Sequence, residues 1–402
     1  MLFDFTPKSS ILLIFFFHGI VFSFLLLNKG IRNQNKASVW LSLFVFLCAL
    51  YILPFMLGYA GWYSDVFYRD IMFFIPFQQL FLLGPIIFFY TQSQLNKSFR
   101  LSKKDIIHFI PASFYLIYSI IVFITDKLVL NEYYFYADGR DKDLTPWYQW
   151  FGLVSMAIYL ILSLRFYAIY KKISYQVVSF ADSVSFSWIK RFLTAFLIIL
   201  VLRVLFFIFN PEWGEFGRKF WYYLCFSGLF YYISISGYAN SVRTIIAFRS
   251  SLFGFEPNFF PQENIGGDDE SETEIETLTD KESVEIPDLE EWKVKVEQLM
   301  TVEREFENPD LTLSHFSQSL AINPKKLSQI INQGFKMNFN DFVNYYRTEA
   351  VIEKFKSGEH NLQNFLEIAF ECGFNSKSTF NRAFKKHTSL TPKEYLKKNL
   401  SK

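Results

Sequence analysis

Between residues 377 and 386 the sequence reads KSTFNRAFKK, which puts Lys377, Ser378, Thr379, Asn381, Arg382, Lys385 and Lys386 within three helical turns. Phe380, Ala383 and Phe384 recur there at i, i+3 and i+4, the period of a helix with one face turned inward. The polar residues therefore share the outward side. A guanidinium there can grip two acceptors on the edge of guanine, and a carboxamide can do the same on adenine. Ammonium groups beside them would meet phosphates. A second set lies upstream. Lys325, Lys326, Ser328, Gln329 and Asn332 alternate with inward-facing Leu327, Ile330 and Ile331. Arg382 is the first candidate for a base contact, followed by Asn381, Lys377, Ser378, Gln329, Ser328 and Lys325. Lys385, Lys386 and Lys326 are assigned to phosphates.

Each set needs a preceding element to hold it. In residues 362–395, Phe365, Ile368 and Ala369 form one helical face, and Cys372-Gly373-Phe374 then breaks the period. Gly373 supplies the left-handed backbone of a tight turn. Asn375 or Ser376 is placed to cap the helix that follows. In residues 311–332, Thr312 caps a helix with Phe316 and Leu320 inward, and Ala321-Ile322 turn the chain. Asn323 then caps the next helix, with Pro324 at its first position. A left-handed Ala321 costs roughly 1 kcal/mol. Two short helices about a turn, the second presenting a polar face, describe a helix-turn-helix unit. A single unit is equally the pattern of two packed helices, but two copies joined by an amphipathic helix over 341–355 are harder to read that way. Their bounds are about 312–333 and 363–388.

The second unit resembles the signature of AraC/XylS-type transcriptional regulators. The matching residues are Ile368-Ala369, Cys372-Gly373-Phe374, Ser376, Ser378, Phe380, Arg382, Phe384-Lys385 and Thr391-Pro392 with Tyr395. Ser389 departs from the family's usual glycine, Ala321 stands where a glycine is preferred, and Gln363 holds a cap position often given to Ser or Thr. The resemblance implies double-stranded DNA as a partner, read by two recognition helices in successive major-groove segments. It also implies contact with RNA polymerase, and a transcriptional activator or repressor rather than an enzyme.

The rest of the chain is of another kind. Of 402 residues, 51% are hydrophobic and 20% aromatic, with 51 Phe and 23 Tyr. That excludes a lone soluble DNA-binding domain. Seven apolar runs, at 10–27, 39–57, 71–91, 106–125, 147–169, 192–209 and 220–240, each approach the ~20 residues that cross a bilayer. Run one is read as an uncleaved span, since no small-residue cleavage site precedes Lys29. Loops after runs one, three and five carry 11 Lys and Arg, against 6 after runs two, four and six. The basic loops lie inside, so the N-terminus is outside and the C-terminus is in the cytoplasm of a bacterium, where DNA is. Seven of eight tryptophans (Trp40, Trp62, Trp147, Trp150, Trp188, Trp213, Trp221) sit near run ends, as interfacial belts require.

Polar residues within the runs are candidates for a ligand. Arg203 has no Asp or Glu in any run to pair with, so it either anchors an anionic ligand, snorkels toward the outer surface or packs. Gln78 and Gln79, beside Pro76 and Gly84-Pro85, either line a cavity or bond across helices. His18 and His108 read as packing residues rather than proton sensors. The outer loop 126–146 either touches a ligand, caps the bundle or is a solvated connection. Cys48, Cys225 and Cys372 lack metal-ligand spacing and suggest neither a disulfide framework nor a zinc site.

Residues 241–255 continue as an amphipathic stretch, and 261–291 hold thirteen Asp and Glu against the single Lys281. Such a tract cannot build a core and reads as a disordered spacer, or as a competitor of phosphate for the basic helices. From Trp292 onward the net charge is +5, against +2 for the whole chain.

The expectation is an all-α protein. A seven-helix transmembrane sensor (1–241) is followed by a linker (242–291) and a DNA-binding domain with two helix-turn-helix units joined by a long helix (292–402). Its partners would be DNA, the lipid bilayer and a small-molecule or membrane signal, with no cofactor and no catalytic set. The membrane half is a candidate for homodimerisation. The alternative is a membrane receptor or transporter whose tail binds a protein; no repeated half supports a transporter.

Overall fold

The computed structural model describes residues 3–96, 99–136, 145–181, 186–207, 216–240, 248–249, 258–259, 286–359 and 364–399. Most of the amphipathic stretch 241–255, residues 261–285 of the acidic tract, residues 137–144 of the loop expected outside and Gln363 lie outside them. The described chain is all-helical apart from a two-residue antiparallel pair, Phe248–Arg249 with Asn258–Phe259, and one isolated bridge. It divides into two compact units, residues 1–167 with 187–245, and residues 168–186 with 246–402.

Where the structure describes them, the apolar runs are largely helical. α1 (Pro7–Arg32) starts at Thr6, whose hydroxyl accepts from Ser9 N, with Pro7 in the first turn and Lys29 and Arg32 in the last. Basic groups there suit the negative helix end. α2 (Lys36–Tyr59) is capped by Asn35. The run at 71–91, expected as one span, is instead two helices, α3 (Val66–Phe74) and α4 (Leu80–Leu95). Pro76 forces Ile75 into extended backbone (φ −89°, ψ 117°) and ends α3. Tyr148 satisfies the broken ladder: its hydroxyl accepts from Leu80 N at 2.8 Å and donates to Gln78 O at 2.5 Å. Then come α5 (Ile110–Phe123), α6 (Thr145–Val177), α7 (Phe186–Phe207) and α8 (Phe216–Ala239). Among the described residues four helical stretches, Pro7–Arg32, Lys36–Tyr59, Lys103–Val129 and Trp147–Val177, are long and apolar enough to cross a bilayer by length and composition. α1 and α5 leave apolar side chains outside, among them Ile14, Phe24, Phe114 and Ile120, each more than half exposed.

The second unit holds α9 (Leu289–Thr301), α10 (Leu313–Ser319), α11 (Pro324–Gly334), α12 (Phe339–Lys356), α13 (Phe365–Glu371), α14 (Lys377–Thr388) and α15 (Pro392–Asn399). One core joins them, with Phe316, Leu327, Ile331, Phe342, Val351, Ile368, Phe380 and Phe384 all buried. Every buried member of that core lies between Val296 and Leu396. α12 is the axle, contacting helices of both the upstream and the downstream pair.

Candidate nucleic-acid interface

Local signals set both turns. Thr312 caps α10 by accepting from His315 N, and Asn323 caps α11 by accepting from Lys325 N at 2.7 Å, with Pro324 in the first turn. Ala321 between them is left-handed (φ +51°), the strain its position implied. In the second pair the cap of α13 is Asn364, one residue beyond the position assigned to Gln363. Its side chain accepts from Leu366 N while Glu367 accepts from Asn364 N, a reciprocal capping box. Ser376, not Asn375, caps α14, and Ser389 ends it in a left-handed conformation (φ +62°). Gly373 turns the chain at φ +88°. A Cβ there would lie 2.3 Å from Phe306 O, so the turn packs too tightly for any side chain.

Phe380 and Phe384 of α14 are buried, Ala383 is partly buried, and Lys377, Ser378, Asn381, Arg382, Lys385 and Lys386 are exposed. The outward face derived from periodicity is therefore present. Thr379 is the exception. It is fully buried, with its hydroxyl 2.9 Å from the Ser376 hydroxyl, so it belongs to the helix start and not to a contact surface. On α11, Asn332 is exposed and Lys325, Lys326, Ser328 and Gln329 are half-buried. Two lysines assigned to phosphates already have partners. Lys326 Nζ lies 4.2 Å from the Trp292 ring centre, and Lys386 pairs with Asp341 of α12 at 2.6 Å. Exposed pairs of this kind contribute about 0–1 kcal/mol and exchange readily for a phosphate. Arg382 donates to the Tyr175 hydroxyl at 2.7 Å. An open cleft of about 600 Å³ runs beside it, lined by Lys171, Tyr175, Asp341, Arg382, Lys385 and Lys386.

Sequence periodicity missed Arg347. It is fully buried on α12 and donates to Phe306 O at 2.8 Å and Asn308 O at 2.6 Å. Burial holds its guanidinium below the usual arginine range, at about 9. It ties the linker helix to the segment between α9 and α10. Its one legible signal was an arginine at helical spacing from Asn340 and Asn344.

In the first unit Arg203 does not snorkel. It is only 6% exposed, donates to Tyr51 Oη at 3.4 Å and is bonded to Gln149 Oε1. Gln78 Nε2 donates to Tyr51 O at 3.1 Å and reaches Tyr223 Oη at 3.3 Å, so Arg203 and Gln78 converge on Tyr51. Gln79 turns back to Pro76 O at 2.6 Å and does not join them. The cavity beside Arg203 has about 10 Å³ of free space, room for about one water. His18 bonds Ser234 and His108 bonds Tyr159, both at 2.6 Å, as packing residues do. The described part of the loop over 126–146 caps α3 through a Lys127–Asp70 pair at 2.8 Å and a Tyr136 bond to Phe73 O.

Two helix pairs, each with a capped second helix and joined by α12, define a helix-turn-helix domain. Residues 316–398 match the family described as "Helix-turn-helix domain". The chain is 31% identical over 85 residues to "Uncharacterized HTH-type transcriptional regulator YijO" of Escherichia coli (strain K12), covering 21% of this chain and 29% of that protein. It is 39% identical over 51 residues to "Probable transcription factor PqrA" of Proteus vulgaris, covering 13% of this chain and 42% of that one. The chain thus spans less than half the length of either relative. No solved structure matches it. Residues 316–398 thus form a helix-turn-helix domain of the AraC type.

Proposed function

We propose that this protein is a membrane-embedded one-component transcriptional regulator. Residues 1–241 span the cytoplasmic membrane seven times with the N-terminus outside, residues 242–291 are a linker, and residues 292–402 bind DNA inside the cell. α11 and α14 enter successive major-groove segments. Arg382, Asn381, Lys377, Ser378, Gln329, Ser328 and Lys325 face base edges; Lys385, Lys386 and Lys326 face phosphates, with Asn332 at the edge of the α11 surface. The observation that carries this is the exposed basic and amide face of α14, standing on buried Phe380 and Phe384 behind the Gly373 turn. The apolar outer sides of α1 and α5 support the membrane assignment, since lipid replaces water against them. The signal is received in the bundle, with Arg203 and Gln78 as the candidate polar anchor and Gln79 as part of the helix break. RNA polymerase is the partner through which DNA binding acts.

The test is selection from random-sequence DNA with the fragment 286–402, which encloses the whole core of its domain. A bipartite motif with half-sites about 10 bp apart is expected. Equal binding to all sequences, with no motif recovered, would overturn the assignment of two recognition helices.

A further inference from the structure

Three polar residues of α12, Asn340, Asn344 and Arg347, follow one another at i, i+4 and i+7 on one face, and all are buried. Buried polar groups persist where something satisfies them. Here residues 175–181, the end of α6 and the four residues after it, do so. Asn340 Nδ2 donates to Ser179 O at 2.8 Å and to Val178 O at 3.3 Å. Asn344 Nδ2 donates to Ser179 O at 3.2 Å, and Arg347 Nη2 to Ser179 Oγ at 3.1 Å. From the other side Ser179 N donates to Leu311 O at 3.1 Å, and Val178 forms an antiparallel bridge with Thr312. Val178, Phe180 and Ala181 are buried. The domain therefore grips this segment by its backbone, in the manner of strand addition.

The same segment reaches the recognition helix. Tyr175 Oη accepts from Arg382 Nη1 at 2.7 Å, and the guanidinium carbon lies 5.3 Å from the Tyr175 ring centre. Arg382 cannot hold this geometry and also lie flat against a guanine edge.

We propose that residues 175–181 are an intramolecular strap that docks on α12 and withholds Arg382 from DNA, so that undocking of the strap licenses sequence-specific binding. The proposal rests on α14 being a DNA-reading helix. The strap is continuous with α6 and α7, the fifth and sixth expected spans, so displacement of those helices pulls on it through covalent bonds alone. Apparent affinity for a specific site then scales with the undocked fraction.

The test uses the full-length protein in lipid nanodiscs and a site selected with the fragment 286–402. Tyr175→Ala removes the strap's hold on Arg382 without touching the DNA face, and Tyr175 is only half-buried. It should raise specific affinity at least about tenfold toward that of the fragment, leaving random DNA unchanged. In a Cys225→Ser background, Val178→Cys with Thr312→Cys should form a disulfide, because antiparallel partners lie about 4.5–5.5 Å apart. The oxidised protein should lose specific affinity by about tenfold or more, and reductant should restore it. If the fragment binds its site specifically but wild type, Tyr175→Ala and the oxidised pair all bind it equally, the strap is structural and the proposal is overturned. A fragment with no sequence preference would overturn the DNA-reading role of α14, and the strap's role with it.

Discussion

Gly373→Ala should be among the most damaging single-atom additions in the DNA-binding domain. Gly373 sits at φ +88°, where an L side chain costs roughly 1–2 kcal/mol. The added Cβ would lie 2.3 Å from Phe306 O and 2.9 Å from Glu307 C and Cα, which are backbone atoms and cannot swing aside. Displacing them adds about 1–3 kcal/mol of overpacking strain. The same Phe306 carbonyl accepts from buried Arg347 at 2.8 Å, so a shift also loosens the tie between α12 and the segment upstream of α10. Together the loss should be about 2–5 kcal/mol, a large part of a small domain's stability. The mirror experiment is Ala321→Gly. Ala321 is left-handed at φ +51° and exposed, so glycine relieves strain and should stabilise by up to about 1 kcal/mol after its own entropy cost. Urea unfolding of the fragment 286–402 measures both. A loss below about 1 kcal/mol for Gly373→Ala would show that the turn is not held against Phe306 and Glu307.

Other consequences can be measured directly. Arg382→Ala in the fragment should cost about 1–3 kcal/mol on a specific site and relax one base position in competition binding; an equal loss on every sequence would make Arg382 a phosphate contact. Burial raises the Cys372 thiol to about 11, chiefly by desolvation. The fold therefore keeps a proton that the unfolded chain releases near pH 9, and this group's stabilising contribution is constant below that pH and declines from about 9 toward 11. Iodoacetamide at pH 8 should leave Cys372 of the folded fragment untouched and modify it in urea; rapid native labelling would contradict its burial. Arg203→Met should lower stability in detergent by roughly 1–3 kcal/mol, because Gln149 and Tyr51 lose a charged donor. An unchanged melting temperature would favour Arg203 as a ligand anchor rather than a packing residue.

What can be settled from the residues alone is local. Helical period, caps and turn residues act over a few positions, so α10, α11, α13 and α14 were legible from Phe316, Thr312, Pro324, Ile368, Gly373 and Ser376. Left-handed Ala321 and Ser389 were likewise marked by standing in glycine positions. The seven apolar runs were legible as helices because burial in lipid or core asks only for length and hydropathy. The boundaries that moved did so for reasons still close by, Pro76 splitting α3 from α4 and Asn364 capping α13 through its reciprocal bond with Glu367. What tertiary structure alone decided involves groups far apart in the chain. Arg203 faces Tyr51 and Gln149 rather than water, a choice set by side chains 152 and 54 positions away. The clasp of Asn340, Asn344 and Arg347 on residues 178 and 179 spans more than 160 positions, and although the three share one helical face, nothing local names their partner. Hydrogen-bond partners at that separation are set by the folded geometry, because no local spacing rule connects them.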